Sequence, residues 1–313
     1  MAILTVTLNP ALDLETRTPE LAPGRKLRCS PPRRDPGGGG INVARAVAIL
    51  GGEATAAVAA GGPIGEDLLA RLVRPGISVA KLRAPGDTRE NLSVIEERTG
   101  AQYRFIFPGP TWSGADLEEA EAMLRPLVGA GDLVVLSGSL PPGLPPASLV
   151  ELARVIMSAG GSVVCDTSGP ALAAIAAAGL GLKMLRMDSD EAEELTGRDH
   201  PKIADSVEAA ADLVASGAAE IAILARGAEG SVLVTATERW FAPAAVVPVV
   251  SVTGAGDSFV AGSTLALSRG MALDDVLRWG VTAASAAVTT EATELCDRSV
   301  FHRLLPDCVA TRT

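Results

Sequence analysis

Residues 147–186 read ASLVELARVIMSAGGSVVCDTSGPALAAIAAAGLGLKMLR, and the rhythm of this stretch decides the fold. Its spacing predicts a helix over 147–159, a strand over 162–165, a helix over 171–178 and a strand over 183–186. The same alternation continues on both sides. Downstream come helices over 189–195 and 204–215, a strand over 221–224 and an antiparallel hairpin over 230–234 and 239–241. Two long helices follow, over 255–269 and 273–289. Upstream, 3–8 alternates as a strand. Helix 41–50 gathers Val43, Ala46, Val47 and Leu50 on one face and stops at Gly51 and Gly52. A strand at 54–60 and a helix at 65–73 come next. Helix 115–125 carries Leu117, Ala120, Met123 and Leu124 on its apolar face and is ended by Pro126, and a buried strand follows at 132–136. Short apolar strands between amphipathic helices imply an α/β fold with a mostly parallel sheet covered on both faces.

One region breaks the rhythm. Residues 14–36 are polar and rich in Pro and Arg, while 91–95 and 102–107 alternate with period two and no helix between them. These pieces predict a small antiparallel sheet projecting from the main body. No internal repeat and no clean linker divides the chain, so 1–313 reads as a single domain.

The chain has 313 residues, 48% of them hydrophobic and only 3% aromatic, so its core is expected to be mostly Ala, Val, Leu and Ile. Its net charge of -10 argues against a nucleic-acid partner. Cys29, Cys165, Cys296 and Cys308 form no CxxC pair, and with His200 and His302 they make no zinc pattern. Reduced thiols and a start without a signal-peptide pattern point to the cytoplasm. No apolar stretch reaches the ~20 residues of a membrane span. His200 is expected on a surface loop, and Trp112 and Trp279 in packing.

Two glycine-rich stretches carry the chemistry. In VTGAGDS (252–258), Gly254 and Gly256 let backbone N–H groups approach an anion at a helix start, whose field favours phosphate. Asp257 in the first turn can take a proton from an attacking hydroxyl. In PGGGGINVARA (36–46), four glycines run into a helix, and Asn42 offers a donor and an acceptor for sugar hydroxyls. This run is neither a dinucleotide fingerprint nor a P-loop.

Together with TLNPALD (7–13), KLRC (26–29), TRENL (88–92), QYRF (102–105) and SGSLPPG (137–143), these stretches resemble the ribokinase/PfkB family of sugar kinases over essentially the whole chain. The resemblance implies a ribokinase-like three-layer α/β/α sandwich with a small β-sheet lid formed by segments about 11–35 and 86–108. Within the family it points to the sugar-phosphate branch. The four-glycine run and KLRC look most like its 6-phosphofructokinase isozyme 2 group. The implied reaction is ATP-dependent phosphorylation of the 1-hydroxyl of fructose 6-phosphate to fructose 1,6-bisphosphate, a step of glycolysis. Fructose 1-phosphate and tagatose 6-phosphate stay open as acceptors, as does a non-catalytic sugar-phosphate sensor.

The roles carried over are these. Asp257 would be the base, and Gly254, Ala255 and Gly256 the anion hole. Asp13, Gly38, Gly39 and Asn42 would bind sugar hydroxyls. Lys26, Arg89, Arg104 and Ser139 would meet the sugar phosphate. Arg186, Asp188, Ala225, Gly227, Gly230 and Ala284 would line the nucleotide site, with Glu191 and Asp188 near Mg²⁺. ATP and Mg²⁺ are the implied cofactors, with K⁺ an optional one. The sequence departs from the family where RMDSDE (186–191) replaces a Lys-Pro-Asn-x-x-Glu run, where Ala225 replaces a hydroxyl residue, and at Ala284, Thr290, Glu291 and Ala292. The apolar lid residues Leu92, Val94, Tyr103, Phe105 and Phe107 are expected to be exposed and to form a homodimer.

Overall fold

The computed structural model describes residues 1–291 and 293–313. Ala292, one of the altered nucleotide-site residues, lies outside the described residues. The chain begins with β1 (Ile3–Thr7), β2 (Ala11–Thr18), β3 (Arg33–Gly37), α1 (Gly39–Ile49), β4 (Ala54–Ala60) and α2 (Gly62–Leu72). It continues through β5 (Ile77–Arg83), β6 (Arg89–Glu96), β7 (Gln102–Phe105), α3 (Gly114–Leu124), β8 (Leu133–Ser137), α4 (Ala147–Ser158) and β9 (Ser162–Asp166). Then come α5 (Gly169–Ala177), β10 (Met184–Asp188), α6 (Ser189–Thr196), α7 (Ile203–Ala215), β11 (Ala222–Ala225), β12 (Ser231–Val234) and β13 (Arg239–Ala242). The last elements are α8 (Ala255–Ser268), α9 (Leu273–Ala287), α10 (Arg298–Leu304) and β14 (Thr311–Arg312).

The main sheet has ten strands in the order β14-β13-β12-β11-β10-β9-β8-β1-β4-β5. Pairing is parallel from β5 through β11, and β12 to β14 add antiparallel strands at one edge. Successive strand residues serve opposite faces. Ile3, Ala56, Val58 and Val135 pack with α1, α8 and α9, whereas Leu4, Val6, Ala57 and Val134 pack with α3, α4 and α5. That confirms the doubly covered sheet. Strand β5, helix α10 and β14 were not anticipated from sequence.

The second sheet has four strands, in the order β3-β2-β6-β7. The expectation of an antiparallel sheet is corrected. Strands β2 and β6 run parallel from Ala11 beside Arg89 to Thr18 beside Glu96, with antiparallel β3 and β7 outside them. These two central strands are separated in the chain by a complete piece of the main body, β4 through β5, so no hairpin forces them antiparallel. The expected exposed face is also narrower. Val94 is buried and Leu92 half-buried, while Tyr103, Phe105, Ile106 and Phe107 are exposed.

His200 is a further correction. It is buried, and its backbone carbonyl accepts a 2.8 Å bond from the buried Arg226 guanidinium. Trp112 is buried, and Trp279 packs edge-on against Phe301, as expected of packing aromatics. All four cysteines are free, three of them buried and Cys29 exposed. Among the described residues no helix is long and apolar enough to cross a membrane.

Candidate active site

The parallel strands end where the chain's chemistry collects. Register puts Ser137 of β8 beside Asp166 of β9, and Asp166 beside Arg186 of β10. Ligands of open α/β sheets bind outside such carboxyl ends. Three helix or turn starts face this edge.

The first is α1. Gly38 precedes it with φ of 123°, a backbone state that side-chain-bearing residues avoid. A Cβ on Gly39 would lie 2.3 Å from Ser137 Oγ and 2.7 Å from Gly138 N, so only glycine lets the helix start touch the end of β8. The close approach delivers Asn42 to the edge. Its Nδ2 donates to Asp257 Oδ2 at 3.0 Å.

The second is α8. Gly254 caps it in the left-handed region. The Ala255 N–H turns back to the Val252 carbonyl at 3.3 Å, whereas no backbone acceptor is present for the N–H groups of Gly256 and Asp257 among the described residues. Of the three residues expected to form an anion hole, Ala255 has its N–H engaged, while the N–H groups of Gly254 and Gly256 have no backbone acceptor among the described residues. Arg186 lies over this turn, its guanidinium nitrogens 3.4 and 3.5 Å from where a Cβ on Gly256 would sit, which is ordinary contact. Asp257 itself is half-buried, and Ser137 Oγ is 3.5 Å from its Oδ1. Burial pushes its carboxyl up to about 6; Asp166 adds to the rise, and Asn42, Arg186 and Ser137 oppose it.

The third is α6. Asp188 is its N-cap: Oδ1 accepts the Glu191 N–H at 2.9 Å, and Glu191 Oε2 accepts the Asp188 N–H at 2.8 Å. This capping box occupies much of the carboxylate that sequence reasoning assigned to nucleotide and metal. Arg186 bonds Asp166 at 3.1 Å and lies 3.8 Å from Glu191. Burial alone would lower its pKa, but Asp166 and Glu191 outweigh burial and raise it. Burial pushes Glu191 up to about 7, and the neighbouring Asp188 adds to that rise. Asp166 is a site residue that sequence reasoning missed.

Burial disfavours the charged form of Glu191, which a cation beside it would offset, so it fits a role beside Mg²⁺. Among the described residues no three His, Cys, Asp or Glu side chains form a metal cage. An ion retained by phosphate oxygens and water, with few protein ligands, suits that donor set. Ala225 accepts the Ser189 hydroxyl bond through its carbonyl, Gly227 opens a turn, Gly230 closes it, and Ala284 is half-buried on α9.

The small sheet supplies the other wall. Asp13 lies beside Asn91 and Asp35 in register, and its Oδ1 accepts the Asn91 amide at 2.8 Å. Burial raises its pKa, and the Asn91 bond, Arg104 and Arg89 pull it back. Arg89 donates to the Phe107 carbonyl at 3.0 Å and the Asn9 carbonyl at 3.2 Å, so it ties β6 to the segment after β7 and to the loop after β1. Asn9 in turn donates to Ser139 Oγ at 3.2 Å. Arg104 is exposed on β7. Lys26 is exposed on the loop between β2 and β3 and forms no ion pair among the described residues; the structure does not bring it into this cluster.

Residues 7–299 match the model for the pfkB family carbohydrate kinases, and the chain belongs to that family. It is a carbohydrate kinase. It is similar to ATP-dependent 6-phosphofructokinase isozyme 2 of Escherichia coli (strain K12), with 38% identity over 302 residues, 96% of this chain and 97% of the relative. It also matches 1-phosphofructokinase of Xanthomonas campestris pv. campestris, at 37% over 270 residues, 84% of this chain and 83% of the relative. The crystal structure of phosphofructokinase-2 from Escherichia coli in complex with fructose-6-phosphate superposes with a TM-score of 0.90 at 37% identity, covering 97% of this chain and 98% of that one.

Proposed function

We propose that this chain transfers the γ-phosphoryl group of ATP to the 1-hydroxyl of fructose 6-phosphate. The observation that carries the reading is Asp257, held by Asn42 at the start of α8 beside the Gly256 N–H, which has no backbone acceptor among the described residues; burial pushes the Asp257 carboxyl up to about 6. A base of that strength is mostly ionised at neutral pH yet still basic enough to take a proton as the hydroxyl attacks. Its Oδ2 accepts the Asn42 amide at 3.0 Å, whereas its Oδ1 has only the long 3.5 Å contact from Ser137 Oγ and is the oxygen that takes the acceptor's proton. The N–H groups of Gly256 and Asp257, with Arg186, stabilise negative charge developing on the transferred group. Mg²⁺ bound with the nucleotide would neutralise phosphate charge, with Glu191 as the nearest protein carboxylate. Asp13, Gly38, Gly39 and Asn42 orient the sugar, and Arg89, Arg104 and Ser139 face its phosphate.

The small sheet acts as a lid over the acceptor and excludes water. Its exposed Tyr103, Phe105, Ile106 and Phe107 form an apolar band that suits a homodimer through the lid. The reading places the enzyme in cytoplasmic glycolysis, with K⁺ as an optional auxiliary ion. The matching 1-phosphofructokinase favours fructose 1-phosphate as the second acceptor to test. A coupled assay with ATP and each of fructose 6-phosphate, fructose 1-phosphate, tagatose 6-phosphate and fructose decides among them. Turnover fastest on fructose 6-phosphate is expected; binding of the sugar phosphate with no turnover would replace the kinase by a sensor.

A further inference from the structure

Arg45 lies one helical turn beyond Asn42 on α1 and is only 5% exposed. Its Nη1 donates to the Pro36 carbonyl at 3.1 Å and to Asn42 Oδ1 at 3.3 Å, and its Nη2 donates to the Thr293 carbonyl at 2.9 Å. Its Nε has no hydrogen-bond partner among the described residues. Burial and the nearby Arg74 lower its pKa to about 10, with Asp35 and Asp13 opposing and Arg33 adding, so it stays charged at neutral pH.

A guanidinium donates and never accepts. The Asn42 atom facing it must therefore be the carbonyl oxygen, and the Asn42 atom facing Asp257 must be the amide nitrogen. A flipped amide would set NH₂ against the guanidinium and a carbonyl oxygen against the Asp257 carboxylate. Both contacts would be repulsive. Arg45 also joins three segments distant in the chain. Thr293 Oγ1 donates to Asp35 Oδ2 at 2.8 Å and accepts from Arg33, so the loop after α9, strand β3 and helix α1 meet at one guanidinium.

We infer that Arg45 is a positioning residue for phosphoryl transfer, fixing the Asn42 amide as a donor to Asp257 and registering that pair against the loop at Thr293. The inference rests on Asp257 being the base. A plain structural clamp on the Pro36 and Thr293 carbonyls would stabilise the fold without passing through Asn42. A mutant cycle separates the two.

The variants are Arg45→Met, Arg45→Lys, Asn42→Ala and Arg45→Met with Asn42→Ala, each checked for cooperative thermal unfolding and assayed with ATP and fructose 6-phosphate. Misplacing a reacting group by about an ångström is enough for a ~100-fold rate loss. Arg45→Met should therefore lower kcat by ~10- to 100-fold while the KM for ATP changes by less than ~3-fold. The double variant should fall no more than ~2-fold below Asn42→Ala, because the two residues act as one. Arg45→Lys, which still only donates, should keep kcat closer to the parent than Arg45→Met. If the two losses multiply, or Arg45→Met keeps the parental kcat, the inference is overturned. If Arg45→Met does not fold, Arg45→Gln, whose amide can also accept and so no longer dictates the Asn42 orientation, takes its place in the cycle under the same criteria. Asp257→Asn is assayed alongside. Turnover retained there removes the base reading itself, whereas turnover lost there with a multiplicative cycle removes only the role of Arg45.

Discussion

Replacing Asp257 by Asn should make the protein both much slower and more stable. The Asp257 carboxyl rises from an ordinary 3.8 to about 6, chiefly through burial. Each pKa unit corresponds to ~1.4 kcal/mol, so holding this group ionised costs the folded state ~3 kcal/mol at pH 8. The sign follows from the direction of the shift. A raised carboxyl favours the folded state while protonated, and that favour is lost as pH climbs through about 6. The amide that replaces the carboxyl cannot ionise, and its oxygen can still accept the bond from Asn42. The variant should therefore gain ~3 kcal/mol at pH 8 and about half of that at pH 5. For a chain this long the gain corresponds to roughly 4–5 °C in Tm at pH 8 and ~2 °C at pH 5. Calorimetry on both proteins at the two pH values measures it. A variant no more stable than the parent at pH 8, or one with an equal gain at both pH values, would refute the placement of this carboxyl. Turnover should drop ~10²- to 10⁴-fold, as removal of a general base does. Near-parental turnover would refute the assignment of the base.

Other consequences can be checked independently. The kcat of the parent should fall on acidification with an apparent pKa near 6, the value burial gives Asp257, and a flat profile from pH 5 to 8 would contradict it. Asp166→Asn removes a charge that raises Asp257, so the acid limb should move to lower pH; a limb shifted upward would show that the Arg186 it releases matters more. Asp188→Asn preserves a good N-cap, so Tm should move by less than ~1 °C, and with one charge fewer beside Glu191 ATP binding should depend less steeply on free Mg²⁺. Superimposable Mg²⁺ titrations would place Asp188 outside the ion's reach. Phe105→Asp should turn a lid-mediated dimer into a monomer by light scattering, and an unchanged mass would move the interface elsewhere.

What was legible in the sequence was local. The alternation of 147–186 fixes helix and strand because burial of one face is written in residue spacing, and the two glycine runs mark backbone that must approach something closely. Gly39 against the end of β8 is such an approach, whereas a side chain on Gly256 would meet only the Arg186 guanidinium, at ordinary contact distance. What was not legible depends on register between distant segments. Nothing in SVVCD marks Asp166 as different from any carboxylate ending a strand; only the pairing of β8, β9 and β10 lines it up with Ser137 and Arg186. The direction of β2 against β6 is non-local in the same way, because the turns at either end do not specify it. Asp188 shows the converse limit. A motif match places it at the nucleotide, yet the first turn of α6 uses one of its oxygens to close a capping box. Its second oxygen is the one with no hydrogen bond among the described residues. A carboxylate that caps a helix is held in one orientation, so its charge acts on Glu191 and any nearby cation from a fixed place. The substitution of this motif residue therefore changes the field of the site more than its list of ligands.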